Sequence, residues 1–280
     1  IRRDIMNKVK ELEKTAIELR KIALTMIYKA QSGHPGGSLS AADIVTALYF
    51  NEMRVDPVNP NWEDRDRFIL SKGHVCPVLY SALAMKGYFP MDNIETLRKY
   101  GSILQGHPDM KRCPGIDIST GSLGQGLSCG VGMAIVGKRE NKDYRVFAIV
   151  GDGECNEGQI WEAAQSAAKY ELDNLVVFVD NNRLQNDGSC EEIMPTFDLR
   201  EKFEAFGFEA YRINGHKMQE IVDVLDKVRG VNNGKPKAIV CDTVKGRGVS
   251  FMENVVAWHG IAPNDEEYEL AMKEIEGGLK

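Results

Sequence analysis

The chain has 280 residues, 43% of them apolar, with a net charge of −6 and a pI near 5.5. That length can bury a large core and lies near the upper size of a single domain. The acidic balance gives no electrostatic footprint for nucleic acid, no apolar run nears the ~20 residues that cross a bilayer, and the first turns lack the unbroken apolar core of a signal peptide.

From Ile5, apolar or small residues at 5, 9, 12, 16, 19, 23, 26 and 30 predict one long amphipathic helix that ends at Ser32-Gly33. After the loop SGHPGGS, Ser40 with Asp43 three residues on reads as a capping box opening a helix to about Phe50. The run FILS then predicts a strand entering Lys72-Gly73-His74, followed by a helix that closes near Gly87. Residues 101–123 form a long Gly- and Pro-containing stretch, the kind of loop that is functional or mobile inside a compact domain. The next helix carries Gly126, Gly130, Ala134 and Gly137 along one face. Each interior glycine costs about 1 kcal/mol against alanine, so a close contact has to compensate, either at a subunit interface or inside the domain.

RVFAIV (145–150) and LVVFVD (175–180) are short apolar runs of the kind buried on both faces of a parallel sheet, and the Ala-rich WEAAQSAAKYE between them predicts a crossover helix. Asp152 and Asn182 each fall just beyond a strand's C-terminal end, where open parallel sheets bind ligands. Gly151 and Gly153 let backbone N–H groups approach a phosphate at a helix N-terminus. A carboxylate beside a phosphate requires a cation between them, and Mg2+ favours oxygen ligands such as Asp152, the Asn182 amide and phosphate itself. The plainer alternative is a glycine turn with Asp152 as a helix cap and Asn182 as a turn former.

Further on, RLQNDGS predicts a hairpin-like turn, FGFEAYRI a strand, MQEIVDVLDKVRG a helix and KAIVCDTV a strand. A Gly-containing segment, KGRGVSFMENVVAWHGIAP, precedes a final acidic helix. The six cysteines (76, 113, 129, 155, 190, 241) form no CxxC pair and no disulfide-like spacing, which fits reduced thiols in a cytoplasm. All five histidines adjoin a glycine, at Gly33-His34, Gly73-His74, Gly106-His107, Gly215-His216 and His259-Gly260. They belong to tight loops, and several loop histidines beside a phosphate site make a polar, titratable pocket. Zinc is the rival use of His and Cys, but no pair has ligand spacing.

These segments together resemble the N-terminal, diphosphate-binding half of transketolases. SGHPGG, DRFILSKGH, GHP followed by PGIDISTGSLGQG, GDGECNEGQIWEA, VDNN, NGH and KGRGVSFMENVVAWHG occur in the family's order over nearly the whole chain. The resemblance implies an α/β, thiamine-diphosphate-binding fold as one domain over 1–280, with a mostly parallel sheet, helices on both faces and an N-terminal helical region. It implies that Asp152, Asn182 and the Leu184 carbonyl hold Mg2+, or Ca2+ in its place. His74, Gly153 and Asn182 would contact the cofactor's diphosphate end, Gly121, Ser122 and Leu123 its thiamine region, and His259 the cofactor as well as substrate. His34, His107 and His259 would line the substrate channel and move protons as a C–C bond breaks. Glu157 matches a family glutamate at the subunit interface, and His216 is expected to serve its loop structurally.

The implied reaction is transfer of a two-carbon ketol unit from a ketose phosphate to an aldose phosphate, with the cofactor as electron sink. In the family the cofactor-activating glutamate and the sugar-phosphate arginines lie in a pyrimidine-binding domain that this sequence does not reach. The expectation is therefore one subunit of a split transketolase, completed by a C-terminal-type partner chain in a heterotetramer. Its acidic tail EIEGGLK reads as a natural terminus, with truncation of a longer protein as the alternative. Two other functions stay open: a cofactor-binding or regulatory subunit without turnover, and a 1-deoxyxylulose-5-phosphate synthase-like enzyme, which shares the GDG signature but differs around the histidines and TGSLGQG.

Overall fold

The computed structural model describes residues 2–277, with side chains described from Met6 onward, so Ile5 of the helical stripe and the end of the tail lie outside it. Five strands, β1 (Arg67–Leu70), β2 (Val146–Gly151), β3 (Leu175–Asn181), β4 (Glu209–Asn214) and β5 (Lys237–Asp242), form one sheet in the order β1-β2-β3-β5-β4. All four pairings are parallel. Every residue of β2 and β3 is buried, which is why these strands read as unbroken apolar runs with no polar face.

Alternate side chains of the central strands feed two cores. Phe147, Ile149, Val176 and Phe178 face α1 (Arg2–Ala30), α3 (Ala42–Ala47), α4 (Cys76–Lys86) and α9 (Met218–Val228). Ala148, Val150, Val177 and Val179 face α5 (Gln125–Arg139), α6 (Gly158–Lys169) and α8 (Leu199–Ala205). The expected helix-sheet-helix layering is therefore present. On α1 the stripe residues Val9, Leu12, Ala16, Leu19, Ala23 and Met26 are buried, as the spacing predicts. A third, smaller cluster joins Leu24 and Leu39 to Val249, Met252, Ala271 and Ile275, fastening α10 (Asp265–Glu276) and the segment before it to the N-terminal helices.

The capping box expected at Ser40 is absent. The helix instead begins at Pro35, α2 (Pro35–Ser40), with proline at its first turn, where its missing N–H costs nothing. Ser40 is fully buried and gives its hydroxyl to Asp180 Oδ2 at 2.6 Å. Asp43 turns inward to pair with the wholly buried Arg20, and the chain past Ala47 continues as one π-helical turn, Leu48–Glu52. The glycine face of α5 finds its compensating contact inside the domain: a Cβ on Gly126 would lie 2.8 Å from Ser71 Cα, and one on Gly130 3.4 Å from Ile69 Cδ1.

Candidate active site

The C-terminal ends of β1, β2 and β3 open into a cavity of about 530 Å3. Larger space, about 630 Å3, exists at the opposite end of the sheet around Lys142, Tyr144 and Asn174, but it gathers none of the predicted site residues. The smaller cavity holds most of them: His34, His74, Gly121, Leu123, Asp152, Gly153, Glu157, Asn182, Leu184 and His259 all line it. His107 and Ser122 do not; His107 is exposed at the rim, its ring against Gly121, where a Cβ would come within 3.0 Å of His107 Cδ2. Gly121 has φ +148°, so both backbone and space require glycine there.

Three loops bring three imidazoles together. The ring centroid of His34 lies 5.0 Å from that of His74 and 5.4 Å from that of His259, and the latter two are 5.4 Å apart. Close backbone packing produces this: a Cβ on Gly36 would meet Trp258 O at 2.9 Å, one on Gly37 Val75 Cγ1 at 2.5 Å, and one on Gly73 the 120–121 backbone at 2.9 Å. The Gly246 N–H also donates to Gly36 O at 2.9 Å, tying the KGRG segment to the first histidine loop. Burial, reinforced by neighbouring cations, lowers His34 to about 4, His74 to about 2 and His259 to about 3. All three are neutral at physiological pH, so each ring can accept as well as donate a hydrogen bond. His34 Nδ1 is buried with no hydrogen-bond partner among the described residues, an atom left for a ligand to satisfy.

The opposite wall is the loop after β2. Asp152 Oδ1 accepts the Gly153 N–H at 2.8 Å and its other oxygen accepts the Arg183 N–H. The Asn182 side-chain oxygen accepts from Leu184 N at 3.1 Å, and a short antiparallel bridge, Leu184 to Ser189, closes the expected turn. Burial and the neighbouring Asp180 push the Asp152 carboxyl up to about 6. A divalent cation would remove that penalty, and the donor set fits one: a carboxylate, an amide oxygen and a backbone carbonyl on one cavity wall are hard oxygen ligands. Among the described residues no three His, Cys, Asp or Glu side chains cluster as a metal site, so a cation here depends on the amide and carbonyl oxygens. Asp152 also caps the 3-10 turn that follows it, so the plainer structural role expected of it coexists with this placement.

Three further cavity residues lie in the quoted segments but have no role expected of them from the sequence. Lys72, buried, sends its ammonium to Asp180 Oδ2 at 2.5 Å. Glu154, also buried, accepts from Ser71 Oγ, from Gly124 N at 2.9 Å and from Gly151 N at 3.0 Å, so one carboxylate fastens β1, the TGSLG loop and the GDG loop together. Lys245 reaches Leu184 O and Gln185 O at 3.1 Å each and lies 2.7 Å from His259 Nδ1; burial, then Lys72, lowers it to about 8. His216 stands away from the cavity. Its Nδ1 meets Asp43 Oδ2 at 2.8 Å and its Nε2 accepts the Val244 N–H at 2.8 Å, which matches the structural role expected for it.

Comparison with known proteins converges on one family. The family described as transketolase, thiamine diphosphate binding domain, matches residues 12–277. A 6-deoxy-6-sulfo-D-fructose transketolase subunit from Clostridium sp. (strain MSTE9) is 45% identical, the alignment covering 95% of this chain and 96% of that protein. An apulose-4-phosphate transketolase subunit from Phocaeicola vulgatus is 43% identical, over 95% of this chain and 94% of that one. The transketolase of Rattus norvegicus is 42% identical, but the alignment spans only 40% of its length. Among solved structures, transketolase from Leishmania mexicana superposes with a TM-score of 0.89 at 31% identity, over 95% of this chain and 41% of that one. The chain thus spans about two fifths of the solved transketolases it matches and nearly the full length of the similar subunits.

Proposed function

The chain belongs to the family of transketolase thiamine-diphosphate-binding domains, and on that premise we propose that it is the N-terminal subunit of a two-chain transketolase. It transfers a two-carbon ketol unit from a ketose phosphate to an aldose phosphate once a C-terminal-type subunit completes the site. The observation that carries this is the convergence of His34, His74 and His259 on one cavity whose far wall is Asp152, Asn182 and Leu184. The near full-length match to proteins named as transketolase subunits supports the two-chain arrangement. A heterotetramer with two copies of each chain, working in the cytoplasm, is part of the same reading. No helix among the described residues is long and apolar enough to cross a membrane.

Within this reading Asp152, Asn182 and Leu184 O hold Mg2+ or Ca2+, and His74, Gly153 and Asn182 receive the diphosphate of thiamine diphosphate. Gly121, Ser122, Leu123 and His259 take its thiamine part, and Glu157, exposed at the cavity edge, lies at a subunit interface. The bound cofactor supplies an electron sink for C–C cleavage. This chain's own residues position and protonate: His34 and His259, neutral and half-buried, can accept a proton from a sugar hydroxyl and return it, and His107 waits at the rim. Glu154 holds the GDG and TGSLG loops at a fixed spacing for the two ends of one ligand. Keeping the channel histidines beside the metal ligands favours turnover over a regulatory role, since a mere binder needs no proton-handling groups there.

The test is calorimetric titration of the chain with thiamine diphosphate and Mg2+, then a ketol-transfer assay with and without the partner subunit. Metal-dependent binding with activity only in the reconstituted pair is the expected result. Pyruvate-dependent decarboxylation in place of ketol transfer would move the assignment to the deoxyxylulose phosphate synthase type, and no binding with metal and partner present would overturn the cavity assignment.

A further inference from the structure

Arg98 stands between the two histidine loops that come from different parts of the chain. Its Nη1 donates to Ser32 Oγ at 2.8 Å, two residues before His34, and its Nη2 to Gly106 O at 3.5 Å, one residue before His107. The guanidinium packs closely on Gly106: a Cβ there would sit 3.1 Å from Nε and 3.2 Å from Cζ, so a side chain at this position would push the guanidinium aside by a few tenths of an ångström. Its backbone is left-handed, φ 60°, a conformation that non-glycine residues rarely adopt and that the Arg98 N–H to Leu104 O bond of 2.9 Å holds in place. Both acceptors, a hydroxyl and a backbone carbonyl, are neutral, and no ion pair neutralises the guanidinium among the described residues.

Resting on the transketolase reading above, we propose that Arg98 is a positioning residue for ketol transfer, fastening the His34 loop to the His107 loop and setting the mutual placement of the two imidazoles. The charge it keeps contributes to how those rings titrate. His34 is faced by Arg98, His107, Lys245, His74 and His259, with no anion among them, and burial followed by Arg98 lowers it. His107 is likewise lowered by burial and then by Arg98. The arrangement is not needed to hold the loop in the fold: the Tyr80 hydroxyl donates to Gln105 O and His107 O at 3.0 Å each, and the Cys76 thiol reaches Gly106 O at 3.3 Å. Removing the guanidinium therefore loosens and recharges the histidines without unfolding the segment.

Two measurements on Arg98→Gln and Arg98→Lys test this. The first is histidine-ring NMR of the free chain over about pH 3 to 8, which spans both the lowered His34 and the range of an ordinary imidazole. Loss of a facing positive charge raises an imidazole's pKa, so Arg98→Gln moves His107 and His34 to higher midpoints, and Arg98→Lys stays near wild type. The second is the reconstituted holoenzyme, where kcat/KM for the ketose falls by roughly 10- to 100-fold in Arg98→Gln, the usual consequence of a small misplacement of reacting groups. Its acidic limb moves to higher pH and thiamine diphosphate affinity stays within about twofold, less than 0.5 kcal/mol. Unchanged His34 and His107 midpoints, or an unchanged kcat/KM, overturn the proposal. If the wild-type pair shows no ketol transfer, the transketolase reading fails while the NMR result still decides whether Arg98 sets the two histidines.

Discussion

Lys72 Nζ lies 2.5 Å from Asp180 Oδ2, and both side chains are almost wholly shut off from water. Lys72 first, and then the hydrogen bonds from Ser40 and Thr243, hold the Asp180 carboxyl low although burial opposes this. Breaking such a pair by removing one partner strands a buried charge, at a cost of about 3–5 kcal/mol. Lys72→Met is expected to lower the urea unfolding free energy by that amount, and adding Asp180→Asn should recover part of it. A single-mutant loss under about 1 kcal/mol would mean that the pair is solvated or replaceable.

Asp152 is a cavity carboxyl that the free chain holds at a cost, because burial and Asp180 both resist its ionisation. Asp152→Asn should therefore abolish Mg2+-dependent cofactor binding, while in the unliganded protein the relief of a buried charge is offset by the loss of one of its two backbone N–H acceptors, leaving stability within about 1 kcal/mol of wild type. Thermal melts without ligand and calorimetry with it read the two effects separately. An Asn variant that binds cofactor with unaltered metal dependence would remove Asp152 from the metal set.

The strand-loop-helix-strand unit was legible because a strand buried on both faces is apolar nearly throughout, and because Gly151, Asp152, Gly153 and Asn182 mark the strand ends where the chain turns. The histidines were legible through the glycines that adjoin them; of these Gly73 permits a close approach, as do Gly36 and Gly37 in the loop after His34. Lys72, Glu154 and Lys245 were not, since a lone charged residue in sequence is ordinarily a solvated one and nothing local announces its burial. Ser40 misled for the opposite reason: its spacing to Asp43 imitates a cap, while tertiary partners, Asp180 for one and Arg20 with His216 for the other, claim both side chains. The short helix α8 is only seven residues of LREKFEA, too brief for periodicity to register.

The three clustered imidazoles set the acid sensitivity of the fold. His34, His74 and His259 are lowered to about 4, 2 and 3, whereas an unfolded histidine titrates near ~6.5. The folded chain therefore binds fewer protons than the unfolded chain in this interval. Stability is fully present above ~6.5 and falls as pH drops towards the folded values. Asp43, held at about 2 by Arg20 and His216 against its burial, adds stability that is lost only at still lower pH, below its ordinary carboxylate range. Urea midpoints should decline from about pH 7 to 5, and a His74→Asn variant should decline less steeply. A flat profile would show that the rings titrate as exposed groups.

Two glycines on the same helix separate packing from propensity. Gly132 of α5 has no atom within 4 Å of where a Cβ would sit, so Gly132→Ala gains helix propensity and should stabilise the free chain by about 1 kcal/mol. Gly126 has the same intrinsic preference, but its Cβ would fall 2.7 Å from Ser71 Oγ and 2.8 Å from Ser71 Cα, and backbone cannot yield cheaply. Ser71 Oγ is also the donor to Glu154, which holds the Gly124 and Gly151 amides. Gly126→Ala is therefore expected to destabilise by about 1–3 kcal/mol, the usual cost of overpacking, and to weaken cofactor binding by displacing that carboxylate. Measured side by side in urea and by calorimetry, the two substitutions should move in opposite directions. If Gly126→Ala proves as benign as Gly132→Ala, the seating of α5 on β1 is looser than these contacts require, and Glu154 does not depend on Ser71 for its place.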